Sequence, residues 1–407
     1  MQKKFLLFIG EGVTLAHIVR PLVLAKALDK DIYDIYFASD IRFKKMVENE
    51  GFRWIEMSSM TSDEFMKRLS SGEPLYTYDR LKSYVKTDLQ LFSNIKPDLI
   101  IGDFRVSLDI SAQLAKVPYV CLINAYWSPH STLIMPVPEL PLLKFIYPKL
   151  GKFIFKCFSP AFLSLHLQGF NKLRKEYGLP LITDIKKMYT AGTWTLYLDL
   201  PSLVPVYSLP TNHQYLGPIC EMLSVPQPEW WGKWPSNKPV IYLSFGSSGD
   251  ITLLEIFKDV LKDLDVSVIL TTSGRIKAEG FPQNFFVTQY VSGLDVARIA
   301  QLFITNGGSG SIYQALYHGV PVLGLPSNMD QFFLMERIED LGAGILIRPS
   351  QASKENLTKA IKNILSGNHY REVSEGLGAQ IRQYDTKSHF RKFIANIFEG
   401  QHKPSTD

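Results

Sequence analysis

The sequence predicts an α/β protein built from two tandem, doubly wound parallel-sheet domains. Three observations carry that prediction. Short apolar strands alternate with helical patterns in both halves, a proline- and tryptophan-rich stretch separates the halves, and 407 residues exceed what one hydrophobic core organises. A composition of 46% hydrophobic and 20% charged residues fits a folded chain without long disordered tracts.

In the first half, Phe5–Gly10 reads as a strand, Ile18–Asp29 as a helix and Asp34–Ala38 as a strand. Asp98–Gly102, Leu108–Leu114 and Tyr119–Ile123 repeat that order. The rhythm stops near Trp127. Leu216-Gly217-Pro218 and the run Pro226–Pro239 then read as an interdomain linker over 217–239. Alternation resumes with Val240–Phe245, a helix from Ile251, and strands at Val266–Leu270, Phe285–Val287, Leu302–Thr305 and Pro321–Leu325. The expected domains are therefore 1–216 and 240–387.

The net charge of +5 is mild and spread along the chain, which argues against a nucleic-acid partner. Cys121, Cys157 and Cys220 are too few and too scattered for a disulfide framework or a metal site, and they suit a reducing cytosol. Two lysines before an apolar run at the start imitate a signal peptide. However, the run lasts only from Phe5 to Ile9 before Glu11, so a first strand is expected instead. No apolar stretch is long enough to span a bilayer. The expected location is the cytosol.

The most informative segment is 302–331. The strand Leu302–Thr305 breaks into Asn306-Gly307-Gly308-Ser309-Gly310-Ser311, and a helical pattern opens at about Ser311. A strand, a glycine-rich turn and a helix start gather unpaired N–H groups at the positive end of a helix dipole. Ser309 and Ser311 add hydroxyl donors, and Asp330-Gln331 follow the next strand. A phosphate cradle beside an acid and an amide suits a nucleotide-linked sugar. The plainer reading is an ordinary βα turn and a helix cap.

This segment resembles the donor-site signature of family-1 glycosyltransferases of the GT-B fold, which use UDP- or dTDP-sugars. That pattern runs roughly His-x-Gly-x-x-(Ser/Thr), Ala-Leu, Gly-Val-Pro and Asp-Gln. The chain supplies Gly308, Ser311, Ala315-Leu316, Gly319-Val320-Pro321 and Asp330-Gln331. It departs at Asn306, where the family has a histidine that touches the diphosphate. Asparagine still donates a hydrogen bond but carries no charge.

The resemblance implies two Rossmann-like domains facing a central cleft. It also implies a last helix, about Ser388–Phe398 within 388–407, that crosses back onto the first domain. The implied reaction moves a hexose, with inversion, from a UDP- or dTDP-sugar co-substrate to a hydroxyl of a lipophilic small molecule. No cofactor or metal is implied. Asp263-Leu264-Asp265 spells the Asp-x-Asp of metal-using transferases, yet it falls at a helix end.

Sugar transfer needs a base for the acceptor hydroxyl, and a histidine oriented by a carboxylate suits that work. The segment Ala16-His17-Ile18-Val19-Arg20-Pro21-Leu22 resembles the family's Gly-His-x-x-Pro-Leu with one residue of slack, and the catalytic histidine lands on His17. Its aspartate partner lands on Asp103, with Asp109 as a weaker stand-in. Both follow strands, at the carboxyl edge where open α/β sheets bind ligands. Position alone would leave them a helix-start residue and a polar strand end.

Ser247, in Phe245-Gly246-Ser247-Ser248-Gly249, resembles the family serine that touches the diphosphate. Tyr290 and Val291 sit where the family bounds the nucleobase, and Thr272-Ser273-Gly274 lies on the same edge. Asp330 and Gln331 are expected to hold the sugar hydroxyls. In the family, the region of 126–165 lines a lipophilic acceptor pocket. Within residues 144–158, lysines interleave with aromatics, which suits either peripheral contact with an anionic membrane or an amphipathic helix facing the core.

Three other readings stand beside the transferase. Gly10-Glu11-Gly12 with Asp40 opens like a dinucleotide fingerprint, which would make an NAD-dependent oxidoreductase, although Leu15 stands where a third glycine belongs. A sugar-nucleotide epimerase would need no acceptor. Asn306 would suit a catalytically silent sugar-nucleotide-binding protein.

Overall fold

The computed structural model describes residues 3–137, 163–221, 225–277 and 279–401. These fall into two compact units, one within Met1–Thr132, Phe153–Gly217 and Asp385–Asp407 and the other within Leu133–Lys152 and Pro218–Tyr384. Residues 133–137, inside the expected first domain, lie with the second unit.

The first unit carries seven parallel strands: β1 Lys4–Gly10, β2 Tyr33–Ser39, β3 Arg53–Glu56, β4 Leu99–Asp103, β5 Tyr119–Ile123, β6 Trp194–Tyr197 and β7 His213–Tyr215. Their order is β3-β2-β1-β4-β5-β6-β7. Leu6, Leu7, Phe8 and Ile9 are all fully buried, as a strand covered on both faces requires. The helix Ala16–Lys26 follows β1 and buries Ile18 to Ala25.

Gly10 allows that helix to lie close to the strand. A Cβ there would stand 2.6 Å from the His17 carbonyl oxygen and 2.8 Å from Ile18 Cδ1. Gly10→Ala should therefore cost about 1–3 kcal/mol through overpacking, read as a lowered denaturant midpoint. An unchanged midpoint would contradict so close an approach.

The last helix, Thr386–Phe398, belongs to this same unit. Phe390 meets Phe8 edge-on with ring centroids 6.2 Å apart, and Phe393 meets Trp194 likewise at 6.2 Å.

The second unit has six parallel strands: β8 Val240–Ser244, β9 Ser267–Thr271, β10 Phe285–Thr288, β11 Leu302–Thr305, β12 Val322–Gly324 and β13 Gly344–Leu346, in the order β10-β9-β8-β11-β12-β13. Its core joins Ile241, Leu243, Val268 and Ile304 to Phe257 and Leu357 from the helices Leu254–Leu261 and Lys354–Ser366. Part of the expected linker, around Trp230 and Trp234, packs here. Trp230 and Trp234 close over Phe286, and Trp230 Nε1 donates to the Val287 carbonyl at 3.0 Å. Aromatic cover of this kind shields β10, which is an edge strand.

Candidate active site

In the first unit the strand order reverses between β1 and β4, where Gly10 pairs with Asp103. Such a switch point opens a crevice at the carboxyl ends of the strands. Asp103 ends β4 and His17 stands in the first turn of the helix after β1. The structure brings them together, His17 Nδ1 lying 2.8 Å from Asp103 Oδ1. Pro21 has no N–H to offer the His17 carbonyl four residues earlier, so the helix ladder is open beside Gly10.

Arg20, to which the sequence reading gave no role, grips the same carboxylate. Its Nε lies 2.8 Å from Asp103 Oδ2 and its Nη2 lies 2.6 Å from Oδ1, a two-pronged charge-assisted contact. Nη1 donates to Asn124 Oδ1 at 2.7 Å, and Asn124 Nδ2 donates to the buried Asp199 at 3.0 Å. The available signal was spacing, since residues three apart share a helix face.

Burial would push the Asp103 carboxyl up, but the Arg20 guanidinium and the His17 ring outweigh it and hold the group below its ordinary value. Asp103 is therefore an ionised acceptor. His17 Nδ1 must carry the hydrogen it accepts, which leaves the lone pair on Nε2. Arg20 Nη2 also lies 3.1 Å from Nδ1, but both atoms carry hydrogen, so that approach is not a hydrogen bond. Phe104, in left-handed backbone at φ 61°, stacks flat on the ring with centroids 4.5 Å apart. A histidine fixed in tautomer and orientation can accept a proton from a hydroxyl.

The stand-in Asp109 is engaged elsewhere. It pairs with Arg174 and accepts from Gln113 Nε2, and burial pushes its carboxyl up to about 6. The dinucleotide reading also loses its footing. Glu11, fully buried, fills the turn after β1 by pairing with Arg105 at 2.9 Å and accepting from Tyr84 at 3.2 Å. An acid in that position repels a pyrophosphate. Asp40 caps the turn Ile41–Phe43 and pairs with Arg42 at 2.7 Å.

In the second unit the register aligns Thr288, Thr271, Ser244, Thr305 and Gly324 across the carboxyl edge of β10, β9, β8, β11 and β12. The order reverses between β8 and β11, so the turns after these two strands flank the switch point. After β11 the helix Ser309–Tyr317 starts two residues earlier than the pattern suggested, with Gly308 as its cap. Ser309, Gly310 and Ser311 are half-buried in its first turn. Gly307 has φ 82°, and a Cβ there would come 2.6 Å from Met335 Cγ. The position needs glycine.

Asn306 and Gln331 are both buried and converge on one hydroxyl. Asn306 Nδ2 donates to Ser248 Oγ at 3.3 Å, and Gln331 Nε2 donates to it at 3.2 Å. Ser247, expected on the diphosphate, sits half-buried in the same turn. Gln331, expected on sugar hydroxyls, accepts the Ser327 N–H on Oε1 at 2.8 Å, and its Nε2 keeps a second hydrogen beyond the one given to Ser248. Asp330 is the more open of the two, in the first turn of the helix Met329–Leu341 capped by Asn328.

Tyr290 is 41% exposed, and its hydroxyl donates to the Ser273 carbonyl at 3.2 Å, while Val291 is buried. Arg275, another residue without a role from sequence, donates to the Gly249 carbonyl at 2.7 Å and ties the turn after β9 to the turn after β8. Asp263 and Asp265 are paired with Lys354 at 2.9 Å and Lys238 at 2.8 Å. Among the described residues no group of three or more histidines, cysteines or acids is placed to hold a metal ion. Among them, too, no helix is long and apolar enough to cross a membrane. Residues 144–158 lie outside the described residues.

Residues 255–384 match the family model described as erythromycin biosynthesis protein CIII-like, C-terminal domain. The chain is 39% identical over 377 residues to a PGL/p-HBAD biosynthesis glycosyltransferase of Mycobacterium tuberculosis, covering 92% of this chain and 88% of that protein. It is 36% identical to a PGL/p-HBAD biosynthesis rhamnosyltransferase of Mycobacterium bovis, covering 92% of this chain and 84% of that protein. Among solved structures, a spinosyn rhamnosyltransferase complexed with thymidine diphosphate superposes with a TM-score of 0.70 at 16% identity, covering 96% of this chain and all of that one.

Proposed function

Because the chain belongs to the glycosyltransferase family of these relatives, we propose that it moves a hexose from UDP or dTDP to a hydroxyl of a lipophilic small molecule, with inversion. His17 Nε2 takes the acceptor proton as the acceptor oxygen attacks the anomeric carbon. The bond from that carbon to the phosphate oxygen breaks, and the nucleoside diphosphate leaves. Asp103 orients the ring and stabilises the imidazolium that forms. Charge on the leaving diphosphate falls to hydroxyls and N–H groups at the start of the helix Ser309–Tyr317, without a cation or cofactor.

The observation that carries this reading is the His17–Asp103 pair at the switch point of the first sheet, since it supplies a base with a defined tautomer. Relatives named for glycosyl and rhamnosyl transfer, with thymidine diphosphate on a structural neighbour, favour dTDP and a deoxyhexose. The aromatics and leucines of 126–165 favour a lipophilic acceptor, and the lysines set among aromatics in 144–158 favour peripheral contact with an anionic membrane.

A thermal-shift panel of UDP-, dTDP- and GDP-sugars tests the donor. A ligand at a hundredfold its Kd should stabilise the protein by about 2.7 kcal/mol, with the UDP or dTDP series responding. If no nucleotide sugar shifts the melt, the reading is wrong.

A further inference from the structure

Asp103 and Phe104 are consecutive residues, yet both meet the ring of His17. Asp103 Oδ1 lies 2.8 Å from Nδ1, and the Phe104 ring stacks at 4.5 Å with 9° between planes. In a continuing strand two such neighbours would point to opposite faces of the sheet. The left-handed backbone at Phe104, φ 61°, breaks that alternation. A bulky residue takes this conformation at a cost, and keeps it only where its surroundings dictate it. Here both flanking residues are pinned by charge. Arg20 holds Asp103 at 2.6 and 2.8 Å. Buried Arg105 donates to Glu11 at 2.9 Å, to Asp88 at 3.0 Å and to the Ser58 carbonyl at 2.8 Å.

Other rings hold Phe104 in place. Tyr189 stacks on it at 5.7 Å with 13° between planes, and Phe65 meets it edge-on at 5.9 Å. Trp127 backs Tyr189 at 4.7 Å. One hydrogen bond at Nδ1 does not set the plane of an imidazole, because its χ2 torsion is broad. A flat aromatic partner does set it. We propose that Phe104 is a positioning residue for the base, fixing the plane of the His17 ring and with it the direction of the Nε2 lone pair. When the ring takes up the acceptor proton, the aromatic face also favours the cation that forms, so the contact strengthens toward the transition state. The inference rests on the transferase reading above, and Phe104 acts through His17.

The test is steady-state kinetics with UDP- and dTDP-sugars as donors and a panel of phenols and long-chain alcohols as acceptors. Phe104→Leu should lower kcat about 10- to 100-fold, as expected of a misaimed base, with donor KM and nucleoside-diphosphate affinity within about twofold. Phe104→Tyr keeps the flat ring and should retain most of the wild-type kcat. Phe104→Met serves as the second flexible replacement if the leucine variant folds poorly. NMR with labelled histidine reads the stack itself, the His17 signals being assigned by their loss in His17→Ala. They should shift in Phe104→Leu, which lacks the ring current, and stay in place in Phe104→Tyr.

An undiminished kcat in Phe104→Leu overturns the proposal. So does a loss shared equally by kcat and diphosphate affinity, a tyrosine variant as slow as the leucine one, or a His17 spectrum that leucine leaves unmoved. A wild-type protein that transfers no sugar to any acceptor is a different result, visible before any variant is made, and takes the transferase reading down with this one.

Discussion

His17→Ala should abolish sugar transfer while leaving nucleoside-diphosphate binding at the wild-type level. The base contributes only once the acceptor proton is moving, so its loss should appear in kcat, by about 10²- to 10⁴-fold, with little change in the donor KM. The fold should survive. Asp103 keeps both of its Arg20 contacts without the imidazole, and the His17 ring is half-buried rather than part of the core. Steady-state kinetics with a nucleotide sugar identified by thermal shift reads the first part, and calorimetry with the nucleoside diphosphate reads the second. Activity within tenfold of wild type would remove His17 from the mechanism.

Asp103→Asn should be more damaging, because it acts on stability and chemistry together. Arg20 is buried, and its Nε and Nη2 both reach this carboxylate. Removing the charge of one partner of a buried pair leaves the other less compensated, at up to about 3–5 kcal/mol. Asparagine can also present its NH2 to His17 Nδ1 and favour the wrong tautomer, a fault that costs a comparable triad about 10⁴-fold in kcat.

The pH dependence has a definite sign. Asp103 is held below its ordinary value of 3.8 in the folded protein. Its contribution is therefore complete above that value and is lost as pH falls through the folded value, because the unfolded chain takes up the proton first. Denaturant melts of wild type and Asp103→Asn should differ most near neutrality and converge in acid. Curves that stay parallel down to pH 3 would show that the carboxylate carries no such linkage.

Much of the fold was legible because buried parallel strands read as apolar runs. Leu302–Thr305 and Tyr119–Ile123 stand in the structure with the expected bounds. The strands that escaped are short. Three of them, Arg53–Glu56, His213–Tyr215 and Gly344–Leu346, lie at sheet edges, where partial exposure breaks the apolar pattern. Trp194–Tyr197 is buried, but Thr195 interrupts it and it does not read as an apolar run.

Within the site, His17, Asp103 and the turn 306–311 carried signals in residue type and spacing. Arg20 carried only its spacing from His17, which does not tell a solvated helix arginine from one that forks onto a carboxylate 83 positions away. That Ser248 is the serine meeting Asn306 and Gln331 was likewise illegible. Adjacent residues in a glycine turn point in different directions, and only the backbone decides which meets Asn306. The role of Gln331 turned on a hydrogen bond from Ser327, four residues earlier, that no motif records.

Phe390 and Phe393 enter the first sheet's core from a helix that follows the whole second unit in sequence. During synthesis the first strands of the amino-terminal unit therefore emerge long before it can close, and their hydrophobic face waits until the helix Thr386–Phe398 has left the ribosome. The part made first is finished last. Any exchange of units between relatives accordingly needs a crossover near Asp385 as well as one near Gly217, besides the two that bound Leu133–Lys152.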